Sequence, residues 1–163
     1  MSEILSVEIN REAGEWPDGL DAIAERALLV ALQNSGFAID GPCEISVLLT
    51  DDAGQQRLNS QWRGKDKATN VLSFPALGED DPIEGMLGDI SLAHETLSRE
   101  AVELEKPFEH HFAHLLVHGM LHVLGYDHET EDEALAMEAR ETDIMGLLGY
   151  PDPYDGQELI DRD

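Results

Sequence analysis

The sequence predicts an α+β fold: a small mixed β-sheet of about four strands packed with helices. Three observations predict it. Strand-like runs fill the first half of the chain, helix-like runs fill the second, and histidines at four-residue spacing mark one of those helices. At 163 residues the chain has the size of one domain with an ordinary hydrophobic core. We read residues 1–154 as that domain and residues 155–163 as an acidic C-terminal tail.

LSVEIN at 5–10 alternates apolar and polar residues as a half-buried strand does. The start carries Glu3 where a signal peptide would be basic, which implies a cytoplasmic protein. GLDAIAERALLVALQ at 19–33 has helical apolar spacing that ends near Gly36. CEISVLL at 43–49 reads as a second strand, and Cys43, the single cysteine, as inert core without a disulfide partner. Thr50, Asp51 and Asp52 offer capping side chains for a helix to about Trp62. TNVLSF at 69–74 is a third strand stopped by Pro75. GEDDPIEG at 78–85 reads as an exposed loop, and MLGDISL after it as a fourth strand. Three helices follow: Ala93 to Leu104, one with Pro107 in its first turn, and Asp132 to Leu148 with apolar residues at Ala134, Met137, Ile144 and Leu147.

Charge narrows the function classes. Ten Lys and Arg against 35 Asp and Glu give a formal net charge of −25, which opposes unaided nucleic-acid binding. The positive charges are not spread evenly, however. Arg57, Arg63, Lys65 and Lys67 form a basic island containing Asp66 as its one acid, whereas residues 129–163 are densely acidic with only Arg140 and Arg162 in opposition. We read the acidic tail as a solvated face that limits nonspecific association. No apolar run approaches the roughly 20 residues of a membrane span.

HLLVHGMLHVLGYDH at 114–128 carries the chemistry. Together with His110, its histidines at 114, 118 and 122 recur every four residues. On an α-helix each such step turns the side chain about 40° beyond a full turn and rises about 6 Å, so only adjacent members can share an ion. The pairs 110/114, 114/118 and 118/122 therefore compete. Gly125 ends the helix and Gly125-Tyr126-Asp127 reverses the chain, so that His128 can fold back toward the last turn. That favours a metal site of His118, His122 and His128. Three neutral imidazoles leave a coordination position open, as catalytic zinc requires. His114 reads as packing or as support behind the ligands, and Asp127 as a partner that fixes a histidine tautomer. His110 and His111 are expected to be partly exposed, and Gly119 to allow a close approach to the helix.

HGMLHVLGYDH at 118–128 resembles the signature of the YbeY family, bacterial metal-dependent endoribonucleases of rRNA maturation and ribosome quality control. LNSQWRGKDKATNVLSFP at 58–75, LGDISL at 87–92 and the closing GLLGYPDPY extend the resemblance over most of residues 43–154. Ala68 stands where many relatives have proline. The resemblance implies one zinc ion on His118, His122 and His128, and Arg63 as the functional arginine before the third strand. A guanidinium suits the charge that accumulates on phosphoryl oxygens, and Lys65 and Lys67 would hold flanking phosphates. The implied activity is single-strand-preferring cleavage in 16S rRNA 3′-end maturation. The implied partners are rRNA or ribosomal particles, with a ribosomal or GTPase protein presenting the RNA. Two other readings compete: a metal-dependent amide hydrolase, disfavoured because Gly119 replaces the usual glutamate base, and a ribosome assembly factor that binds RNA around a structural metal.

Overall fold

The computed structural model describes residues 4–65, 69–78, 80–126 and 129–154. Four strands, β1 (Leu5–Arg11), β2 (Cys43–Thr50), β3 (Val71–Pro75) and β4 (Gly85–Ala93), form one sheet in the order β1-β2-β4-β3. β1, β2 and β4 run parallel, and β3 pairs antiparallel with β4 at the edge. Five helices pack on it: α1 (Leu20–Gln33), α2 (Asp52–Arg63), α3 (His94–Glu103), α4 (Phe108–Leu124) and α5 (Glu131–Leu148). The mixed α+β architecture is the one predicted. The predicted tail, residues 155–163, lies outside the described residues.

The strand pleat sorts side chains onto two faces. Ile45, Val47 and Leu49 of β2 and Ile90 and Leu92 of β4 are buried in a core that they share with α1 and α4. Ser46, Leu48, Asp89 and Ser91 turn to the other face, where α2 lies. Gln55 of α2 is bound there to the Ser91 carbonyl at 2.9 Å, and the Ser91 hydroxyl donates back to its amide oxygen.

Local chemistry sets most boundaries. Asp51, one of the three predicted capping residues, caps α2 by accepting from the Gly54 amide at 2.8 Å, and Gly64 closes that helix at φ 70°. Thr130 and Glu133 form a capping box that starts α5. Pro107 sits one position earlier than expected, as the residue before α4 rather than inside its first turn. Pro75 is the last residue of β3 instead of lying just beyond it, which its edge position permits. The register of β2 and β4 shifts after Glu44, where Ile45 pairs with Gly88. Gly88 has φ 152°, and a Cβ there would press into the Phe74 carbonyl oxygen of the neighbouring strand.

Helix α4 is buried on nearly every side, from His111 to Leu124 with His122 as the half-buried exception. It packs on β3 and β4 and is flanked by α1, α3 and α5. An apolar helix inside a core explains how it can carry histidines that hardly meet solvent. His111 was expected to be partly exposed; it is fully buried, and its Nε2 lies 2.8 Å from Glu100 of α3. The carboxylate gives Nε2 a partner where solvent would otherwise be required. Cys43 is buried as predicted.

Candidate metal centre

Gly119 explains how α4 meets the sheet. A Cβ at this position would lie 3.1 Å from Ile90 and 3.2 Å from the Ser73 hydroxyl, so the missing side chain lets the helix lie close against β3 and β4. The Ser73 hydroxyl bonds the Gly119 carbonyl at 3.4 Å. The close approach expected at residue 119 is thus made by the protein's own strands.

His118 and His122, one turn apart, hold their rings at a centroid distance of 4.6 Å and an interplanar angle of 85°. Their Nδ1 atoms both face acceptors. His122 Nδ1 is 3.0 Å from the Tyr126 carbonyl, which can only accept, so the proton sits on Nδ1. His118 Nδ1 is 3.2 Å from Oε2 of Glu141, a residue of α5 with no exposed surface. The other oxygen of Glu141 takes His114 Nε2 at 2.6 Å and the Tyr154 hydroxyl at 2.7 Å. Burial alone would push the Glu141 carboxyl up, but the hydrogen bonds from His114 and His118 hold it well below the ordinary carboxylate range. It is an anion, and both histidines donate to it. Burial also pushes the His114 pKa down, with the Glu141 bond opposing, so His114 stays a neutral donor.

This arrangement fits a metal. In both His118 and His122 the Nδ1 proton is engaged, which leaves the Nε2 lone pair as the donor to a cation, the pattern in which a ligating histidine is oriented through its other nitrogen. The third predicted ligand, His128, and the predicted partner Asp127 lie outside the described residues. Among the described residues no three His, Cys, Asp or Glu side chains converge as a metal site.

The basic island is built differently. Arg63 is the last residue of α2 and is exposed, as is Lys65 beyond it; Lys67 lies outside the described residues. Trp62, next to Arg63, lines a hollow with Phe74 of β3, while Gly119 packs on Ser73 from the opposite face. Helices α2 and α4 therefore lie on opposite faces of the sheet.

Glu141 and Tyr154 escaped the sequence reading. The signal for Glu141 was present: it sits in the apolar stripe of α5 with Met137, Ile144, Met145 and Leu148, all buried. A carboxylate in such a stripe requires partners. Tyr154 belongs to the GYPDPY block, which the structure folds back onto Glu141. His94, which the sequence left without a role, packs edge to face on Trp16 at 5.1 Å.

Fold and site together define an α+β protein with a histidine-helix centre backed by a buried carboxylate. The chain belongs to the endoribonuclease YbeY family, whose profile matches residues 7–149. It is 52% identical to Endoribonuclease YbeY of a Bradyrhizobium species over 98% of both chains. It is 48% identical to that of Sinorhizobium fredii over 96% of both, and 54% identical to that of Bradyrhizobium diazoefficiens over 94% of this chain and 85% of the relative. A Thermotoga maritima protein solved in solution shares the fold, with a TM-score of 0.57 and 23% identity over 96% of this chain and 100% of that one.

Proposed function

We propose that this chain is a zinc-dependent, single-strand-preferring endoribonuclease that acts in 16S rRNA 3′-end maturation and ribosome quality control. Membership of the family supports RNA cleavage. The observation that carries the metal reading is the paired Nδ1 anchoring of His118 and His122, by Glu141 and by the Tyr126 carbonyl. His118, His122 and His128 would hold the ion, which would supply Lewis acidity to the phosphoryl group.

The other steps belong to the protein. Glu141 accepts from His114 and His118 at once, which fixes the His118 tautomer and balances part of the cation's charge. Arg63 binds nonbridging phosphoryl oxygens through paired N–H donors as their charge grows. Lys65 and Lys67 hold flanking phosphates as point charges. Asp127 supports a ligand tautomer. With a net charge of −25, the chain relies on ribosomal particles, and on a ribosomal or GTPase protein, to present its RNA. No helix among the described residues is long and apolar enough to cross a membrane, and we place the protein in the cytoplasm as one metallohydrolase domain of residues 1–154.

An amide hydrolase using the usual glutamate base is disfavoured by geometry as well as by sequence. Position 119 abuts Ile90 and Ser73, so a side chain there would have to push both aside. Cleavage of defined single-stranded RNA by the parent, His118→Ala and Arg63→Ala proteins tests the proposal. Both variants are expected to lose activity, and cleavage by both at the parental rate would show the site to be misassigned.

A further inference from the structure

His122 also lines a cleft of about 740 Å³. Phe37, Leu77 and Ile83 form apolar parts of its wall, and Asp40, Asp81 and Glu133 its charged part. Among the described residues no lysine or arginine lines it. Phe37 is 40% exposed, against the usual preference of phenylalanine for the interior. Its ring meets Tyr126 edge to face at a centroid distance of 5.3 Å. Both residues are braced on Ser35: the Phe37 amide donates to its hydroxyl at 3.2 Å and the Tyr126 hydroxyl donates to its carbonyl at 2.7 Å. Tyr126 in turn orients His122 through its own carbonyl. The aromatic pair and the candidate ligand are thus one connected unit.

An RNA strand crossing this centre brings phosphates and bases, and the cleft discriminates between them. Three carboxylates on its wall repel phosphate, whereas a base presents an uncharged face that an exposed aromatic ring can stack. We propose that the cleft is a nucleobase subsite in which Phe37, braced by Tyr126, stacks a base adjoining the scissile phosphate. This inference rests on the endoribonuclease reading and deepens it. A base in a duplex must first unpair and unstack to enter, so the subsite supplies a physical reason for a single-strand preference. The sugar-phosphate backbone is then left to the basic island around Arg63.

The experiment uses metal-loaded protein and one single-stranded RNA of defined sequence, with an abasic nucleotide moved stepwise through the positions flanking the cut. For the parent, one position is expected to lower kcat/KM on the order of tenfold, the scale of a lost base stack. Phe37→Ala should show a similar loss on intact RNA, mainly in KM, and no further loss at that abasic position; Phe37→Trp should restore both behaviours. A parent indifferent to every abasic position overturns the subsite, as does a Phe37→Ala protein with the parental profile. If Phe37→Ala melts early, Phe37→Leu keeps an apolar side chain without the aromatic face and decides the matter by the same profile. A parent that fails to cut the intact RNA overturns the endoribonuclease reading, and the subsite with it, and that result is distinct from cleavage without abasic sensitivity.

Discussion

The histidine side and the arginine side of the candidate site are held in opposite ways. His114 and His118 are buried, and one buried carboxylate from a second helix binds both, with Tyr154 closing the network. Arg63 stands exposed at the end of α2, next to a glycine cap. The first arrangement fixes geometry before any ligand arrives; the second leaves a long cation able to follow a flexible polyanion. A metal demands fixed donors, whereas a phosphodiester tolerates an adaptable one, so the difference matches the two roles proposed for these residues.

This contrast can be broken from either side. The largest effect is expected from Arg63→Ala: RNA cleavage falls about 100- to 1,000-fold while the melting temperature stays at the parental value, because an exposed helix end contributes little packing. Arg63→Lys should recover only part of the rate, since a point charge cannot make the paired contact. Steady-state kinetics beside thermal melts separate the two quantities, and a large drop in melting temperature would contradict the division of labour.

Glu141→Gln should do both kinds of damage. Metal affinity, read by titration calorimetry, is expected to fall about 10- to 100-fold as the support behind His118 is lost. The melting temperature should fall as well, because the amide matches neither the charge nor the donors that surround it. Thr130→Ala removes one half of the capping box at the start of α5, the helix that carries Glu141. It should cost about 1 kcal/mol in denaturant unfolding with KM unchanged, which separates helix stability from site geometry. The smallest functional effect is expected at Cys43. Burial, and then the neighbouring Glu84 and Asp40, push its thiol pKa up, so the reactive thiolate is scarce at neutral pH and grows only above the ordinary thiol range. Thiol titration with a disulfide reagent should therefore be slow in the folded protein, and fast at the same pH once it is unfolded.

Much of the fold was legible because its signals are local. The alternation in LSVEIN and CEISVLL, the cap at Asp51 and the apolar spacing of α1 each lie within a short window, and the elements fall within a few residues of expectation. What sequence could not supply was which distant residue satisfies a buried group. His111 was expected near solvent because nothing in its own helix announces Glu100, eleven residues earlier on α3. Glu141 went unnoticed for the same reason: its partners His114 and His118 lie 27 and 23 residues away. The histidine spacing restricted the ligand pairs, but the tautomers that make His118 and His122 suitable donors depend on Glu141 and on the Tyr126 carbonyl. At Gly119 the close approach was legible, but not which segment makes it: β3 and β4 pack there on the helix.

The most direct test of the account is metal content and RNA cleavage measured on the same preparations of parent and His122→Ala protein. The account predicts one ion per chain and cleavage of single-stranded RNA for the parent, and loss of both for the variant with its fold intact by circular dichroism. A His122→Ala protein that keeps its ion and cuts RNA at the parental rate would contradict the assignment of this histidine helix as the metal centre.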